Sequence, residues 1–540
     1  MLVTCLLLSQ AVAGRIIYVD DDANGLKNGT SWANAYNFLQ DALADANSSN
    51  DANEIWVAAG TYKPDQGGGQ IPGDRGAAFH LINGVGLYGG FPSGSESNWD
   101  DRDPNKYETI LSGDLAGDDI DVNDPCDLQT EPTRAENSYH IIVAGIDTNE
   151  NAVIDGFSIT CGNTEGFGGG MFNDHGNPMV KGCTFSGNSA RFGGGMCNDH
   201  GNPMVKGCTF SGNSAEFGGG MYNYYGSPTT VTNCTFNRNS AIWWGGAIST
   251  GYDCNSILED CTFTENTARY YGGGMSNFSN RASLRNCVFE FNSGRYGCAV
   301  TNWESGDMIL VNCVFTRNHL GVGGGIKNHG KALLINCTFD HNKGAYYGGG
   351  IHNEGDAYVN LINCKFYSNS VCSGSTNLGG GICNNGVAEL TNCIFSGNTV
   401  GTYQNVSEYG GGVANLWGRR ISLTNCVFIN NSATRDGGGL DNDYTSEAIL
   451  TNCIFWGNTS TRGQQIDAYG STISIDYCNI QGGQDGTFIS DSVVWPTSLH
   501  WGVGNVEEEP LLTPDGHLRH GQSHIKARTA DSVPNGEMTR

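Results

Sequence analysis

The chain has 540 residues, 80 of them Gly and 13 Pro, and only 15% are charged. It is too long for one ordinary core, too rich in Gly for packed helices and too poor in Pro for collagen or a linker. A net charge of −27 argues against nucleic acid as a partner, because Lys and Arg must neutralise the phosphates there.

Residues 1–13 read MLVTCLLLSQAVA, an apolar run closing on Ala11-Val12-Ala13. This has the form of the end of a secretory signal, with cleavage after Ala13. The run is short and lacks a basic start, which points to a truncated signal or a misplaced start. Thr4 is the wrong residue to precede a lipidated Cys5. No later stretch reaches ~18 apolar residues, so no membrane-spanning helix is expected.

Residues 14–140 carry no visible repeat. Ile16–Val19 and Glu54–Ala58 read as strands, and Ser31 is placed to cap a helix with the apolar face Trp32, Tyr36, Leu39 and Leu43. Asp20-x-Asp22-x-Asn24-Gly25 matches the opening of an EF-hand loop, but Ser31 stands where the bidentate Glu belongs. An acidic turn after a strand is the plainer reading. From Asp100 to Glu136 the chain is acid-rich. That segment is either a solvated loop or a calcium loop with Asp114, Asp118 and Asp119 as candidate ligands. No cofactor is expected, with calcium the one that these acids leave open.

Internal repetition begins in earnest at residue 167. Residues 167–190 and 192–215 are identical except that Phe172 becomes Cys197. A weaker unit of roughly 26 residues continues to Cys478. Its first anchor is Cys-x-Phe-x-x-Asn, as at Cys261, Phe263 and Asn266. Its second is three Gly, an aliphatic residue or Met, any residue and Asn, as at Gly272 to Asn277. Three residues before each Cys stands an aliphatic, from Val180 to Ile475. Cys and Phe lie at period two, the strand signature, and the parity shifts across the Asn or Gly before Cys. The expectation is an all-β right-handed parallel β-helix of about 12 coils, with three short strands per coil and an N-terminal cap containing one helix. Its parts are a cap with first coils (residues 14–140), the repeats (141–484), and a C-terminal cap or tail (485–540). Triple Gly every coil excludes helical repeats, and propeller blades need longer units.

Stacking puts equivalent residues ~4.8 Å apart. The Cys, the Phe and the Asn at Cys+5 should each form a ladder, with Thr262 facing outward. Cysteines at one repeat position act as small buried hydrophobes rather than disulfide partners. Cys161 is a candidate early rung. Cys126, Cys197, Cys254, Cys298, Cys372 and Cys383 lie off the pattern.

The alternation of Phe-x-x-Asn with Gly-Gly-[Ala/Gly]-[Ile/Met/Val/Leu] over residues 160–470 resembles the repeats of the polymorphic outer-membrane protein family, which are bacterial surface adhesins. Tyr18-Val19-Asp20, Ser31-Trp32-Ala33-Asn34-Ala35 and Tyr88-Gly89-Gly90-Phe91 look like bacterial β-helix proteins of the pectate-lyase-like superfamily. The adhesin family carries a C-terminal membrane β-barrel, and residues 485–540 are too few to build one.

No polygalacturonase-like set of catalytic motifs is present, and no catalytic residue is assigned. Asp174-His175 and Asp199-His200 would stack on adjacent coils, but the duplication explains them without chemistry. The outward positions of the Gly-rich anchor (Phe172, Cys197, Tyr222, Ser276, Thr301, Lys327 and His352) show no convergence. The residue before that anchor is aromatic in most coils, including Trp244, Tyr271, Tyr296, Tyr347 and Tyr409. Facing out, this row would be a strip for glycan or protein; facing in, it would be another packing ladder, the reading favoured here. The leading expectation is a non-enzymatic secreted or cell-surface protein for adhesion, glycan binding or structure, with a polysaccharide or cell-surface glycan as partner. The alternative is a carbohydrate-active lyase or hydrolase.

Overall fold

The computed structural model describes residues 14–49, 51–94, 96–278, 281–372, 376–401, 407–492 and 494–513. The signal-like segment, with Cys5, and the end of the tail lie outside them. The described chain is an all-β parallel solenoid of about 13 turns with one helix near its start. It divides into two compact units, with the boundary after Thr209.

In the first unit parallel pairing starts at once. Ile17 pairs with Ile55, Ile55 with Leu87, Leu87 with Ile154, Ile154 with Val180 and Val180 with Val205. All six are buried. The aliphatic column therefore runs back through coils that carry no Cys-x-Phe. A second column joins Tyr62, Leu111, Ile159 and Phe185. Ile159 is the partner of Phe185, so Phe157 occupies the rung expected for a Cys. Cys161 is not a rung; it turns the chain at φ 70°.

The helix also differs from expectation. Ser31 heads only a 3-10 turn over Trp32–Asn34, and its side chain makes no cap bond. The α-helix is Leu39–Ser48, burying Leu39, Ala42, Leu43 and Ala46. The 3-10 turn ends at Asn34 and a link through Ala35–Phe38 separates it from the helix, so Trp32 leaves the helix face and packs with Trp56, Ala58 and Phe91 instead. Arg15 anchors the helix through Asp45 at 2.8 Å.

In the second unit the registers follow the repeat. Leu258, Leu284, Leu310, Leu334, Leu361, Leu390, Leu423, Leu450 and Ile475 pair one to the next. The Phe rings from Phe210 to Phe455 stack nearly parallel, with neighbouring centroids 4.4 to 5.1 Å apart. Pairing does not stop at residue 484: Thr487–Ser490 and Ser498–Trp501 extend two of the sheets.

The coil is richer than three strands. Residues after the ladder Asn form a fourth sheet, with Ser240–Trp244 pairing with Thr267–Tyr271 and that strand with Ser293–Tyr296. Small residues at Ala241, Ala268 and Gly294 let this segment lie close to the body, and it stays extended as a fourth strand where three per coil were expected.

Three Asn ladders brace these turns. The expected one is buried: Asn292 Nδ2 donates to Asn318 Oδ1 at 3.1 Å and to Phe263 O at 2.8 Å. The closing Asn of the Gly-rich anchor form a second, with Asn277, Asn302, Asn328, Asn353, Asn384, Asn415 and Asn442 linked amide to amide at 2.7 to 2.8 Å. The third lies outside, at the residue before Cys. Asn312, for example, donates to Asn286 at 3.1 Å. These outer Asn hold φ near +55°, the left-handed region that Asn tolerates.

Gly272-Gly273-Gly274 shows why the triplet is needed. Gly272 adopts φ +63°, a Cβ on Gly273 would strike Ser293 O of the next coil, and one on Gly274 would lie 2.8 Å from Phe289 Cδ1. The thiols of Cys261, Cys287, Cys313 and Cys337 are buried without a disulfide partner. Each Sγ faces a carbonyl of the preceding coil, as Cys287 does Leu258 O at 3.6 Å.

Candidate functional site

The fourth strand delivers its last residue to the outside of the Gly-rich strand. In that strand Val300 and Asn302 point inward, so Thr301 between them points out. Even so Thr301, like Ser276, Lys327 and His352, is buried. The positions expected to face solvent are covered, because the aromatic row folds over them. Tyr296 accepts the Thr301 hydroxyl on its carbonyl at 2.8 Å, and its ring lies 4.8 Å from Lys327 Nζ. Tyr347 packs over His352 with centroids 5.2 Å apart. The row is therefore not a core ladder. Trp244, Tyr271, Tyr296, Tyr347 and Tyr409 sit half-buried on the outer face.

A second wall comes from the residue after each closing Asn: Phe278, Trp303, His329 and Glu354. Phe278 and Trp303 stack at 4.7 Å and 13°, and Trp303 carries His329 at 5.7 Å and 12°. Tyr271 bridges the walls, 4.9 Å from Tyr296 and 4.7 Å from Trp303. Trp303 Nε1 donates to Ser276 Oγ on the floor at 3.0 Å. The result is a trough filled by its own walls, a double row of side chains closed over a buried floor, with an aromatic stretch at Trp244 to Trp303.

Further along, the side chains become ionisable. Lys327 Nζ meets Glu354 Oε2 at 2.9 Å, with His329 Nε2 and His352 Nδ1 3.7 and 3.8 Å from the same oxygen. Burial pushes His352 down to about 3, with Glu354 opposing and Lys327 adding to the effect. Burial also lowers His329. At Glu354 burial works upward, but the hydrogen bond and charge of Lys327 hold the carboxyl below its usual range. Past an apolar stretch at Leu378, Cys383, Ala414 and Leu416 the trough reaches Asp436, Asp441, Asp443 and Asp467, all buried. The repeat pattern does not announce this convergence, because residue type changes from coil to coil along the floor and along the column after each closing Asn. Both columns could have been read by aligning the coils, since Asp441 and Asp467 are one coil apart.

The acid residues singled out by motif come together only in part. Asp20, Asp21 and Asp22 converge, while Asn24 turns its amide to Asp22 O. Asp20 is already engaged by Asp22 N, Ser93 Oγ and Gly94 N. Asp114 and Asp118 meet Glu136, whereas Asp119 is drawn away by Arg134 at 3.1 Å and Asn137 at 2.8 Å. In the first unit His175 and His200 stack at 4.7 Å, each with Nδ1 on its own Asp at 2.6 Å.

A family model described as right handed beta helix region matches residues 117–247, 146–315 and 218–343. The chain is a right-handed β-helix repeat protein. A Chlamydia polymorphic membrane protein repeat matches residues 425–443 of the β-helix. No curated protein sequence matches at a significant level. Among solved structures, similarity extends to the catalytic domain of a GH87 alpha-1,3-glucanase in complex with tetrasaccharides, at 10% identity and TM-score 0.35, covering 92% of this chain and 70% of that one. A tailspike protein mutant of E. coli bacteriophage HK620 in complex with pentasaccharide is 14% identical at TM-score 0.29, covering 86% and 76%. PfbA, a surface adhesin of Streptococcus pneumoniae, is 9% identical at TM-score 0.23, covering 90% and 92%. No helix among the described residues is long and apolar enough to cross a membrane.

Proposed function

We propose that this β-helix is an extracellular or cell-surface protein that binds polysaccharide along the trough of its second unit. The observation that carries this reading is the aromatic stretch of Trp244, Tyr271, Phe278, Tyr296 and Trp303. Its rings pack on each other, Tyr271 with Tyr296 and Phe278 with Trp303 stacked and Trp244 tilted against Phe278, and remain half-exposed in a row along successive coils. Stacking leaves the ring edges outward, and apolar edges with the polar tips of Tyr and Trp suit the C–H and hydroxyl groups of sugar rings. A row that advances one coil at a time suits a polymer rather than a single small molecule. Cations at the rim, such as Arg295 over Tyr296 at 5.4 Å, add hydrogen-bond donors.

A second reading, cleavage of the bound glycan, is favoured by Lys327, His329, His352 and Glu354 at the end of the aromatic stretch. A neutral imidazole beside a Lys–carboxylate pair has the components of acid–base chemistry. A glycan array with wild type and the Tyr271→Ala/Trp303→Ala double variant tests the first reading. Binding of one polysaccharide class should fall at least tenfold in the variant. Undiminished binding, or none by the wild type, would sink it. Incubation of the bound glycan with wild type and His352→Gln separates the second reading. Product release by wild type alone makes the trough catalytic.

A further inference from the structure

We propose that Asp441, Asp443 and Asp467, at the far end of the trough, form a closed site for a divalent hard cation of the calcium type. Asp441 and Asp467 are register partners on successive coils, and Asp443 stands on the adjoining wall. One carboxylate oxygen from each lies within 4.8 Å of the other two. Oxygens around a calcium ion at about 2.3–2.6 Å are at most about twice that apart, so one ion fits among them.

Proximity alone would be unremarkable in an acidic chain. The second observation is that the oxygens are buried and unpartnered. Asp441 and Asp467 are 0% exposed and Asp443 2%. Both oxygens of Asp441, and one each of Asp443 and Asp467, have no hydrogen-bond partner. Carboxylates removed from water require a counter-charge or a donor. The local cations are already committed. Arg462 bridges Asp467 Oδ1 at 3.1 Å and Asp436 Oδ2 at 2.8 Å, and Arg435 reaches Asp436 at 3.5 Å. Fully ionised, four carboxylates against two guanidinium groups leave two negative charges, the complement of a divalent ion. The cluster holds neither His nor Cys, which argues against zinc or a softer metal. The ion would tie one coil to the next where the trough ends.

The test uses the full chain, stripped with EDTA and then given CaCl2 or left without. Calcium should raise the melting midpoint by at least about 3 °C. Asp441→Asn should lose that response and, with one charge fewer to repel, melt no lower than the metal-free wild type. Asp114→Asn, in a separate acid cluster, should keep the response. Should Asp441→Asn fail to fold, Asp443→Asn takes its place. Terbium luminescence excited through tyrosine supplies a direct reading, since Tyr444 and Tyr469 flank the site. No calcium shift in the wild type, or an equal shift in Asp441→Asn, overturns the proposal.

Discussion

At the scale of one rung, Asn292 shows how the turn is held. Its amide donates to Phe263 O and Asn318 Oδ1, while its own oxygen accepts from the backbone and side chain of Asn266 at 3.1 and 3.0 Å. Replacing it with Ala strands groups on both neighbouring coils, each fully buried. A loss of about 3 kcal/mol is expected. Thr262 lies one strand away, half-buried with its side chain outward, and Thr262→Ala should change stability by no more than about 0.5 kcal/mol. Urea denaturation of the two variants checks the contrast, and equal shifts would contradict this register. Gly273→Ala is the backbone counterpart. Its methyl would meet Ser293 O of the next coil with no side chain to give way, so the cost should exceed about 2 kcal/mol.

At the scale of the element, the legible parts are those that recur. Leu284-x-x-Cys287-x-Phe289-x-x-Asn292 shows an inward residue, a bend, an inward pair and a ladder amide. Each has the same physical task in every coil, so selection by packing keeps it the same residue. Ile16–Val19 was visible as a strand, but the coils it begins were not, because Ile, Leu and Tyr fill their columns and self-similarity fails. The fourth strand was hidden because Ser240-Ala241 and Thr267-Ala268 have small side chains and no alternation. The trough was hidden for the opposite reason. Its columns need not pack a common core, so residue type changes from Trp303 to His329 to Glu354 along one wall. Lys327 and His352 were correctly placed as outward, but their burial depends on Tyr296 and Tyr347 folding back over them, a side-chain direction that spacing does not encode.

At the scale of the whole chain, stability in a solenoid is a sum over coils and their interfaces, so one perturbed coil weakens the stack locally. Acid is the natural perturbant. His352 is buried neutral with its pKa pushed down to about 3, whereas an unfolded His titrates near 6.5. Above about pH 6.5 neither state binds the proton. As pH falls below that, the unfolded chain takes it up and the folded one does not, until about pH 3. The His352 contribution to stability should therefore fall with acidification across this window, at up to about 1.4 kcal/mol per pH unit. His329, and His140 in the first unit, also lowered chiefly by burial, act in the same direction. Glu354, held below its usual range, reinforces the loss at the acid end. Melting midpoints measured from pH 7.5 down to pH 4.5 should decline more steeply for wild type than for His352→Gln, which keeps a polar side chain on the trough floor and cannot titrate. Parallel profiles would mean that His352 is solvated or charged in the folded chain, and that the aromatic row does not seal the floor beneath it.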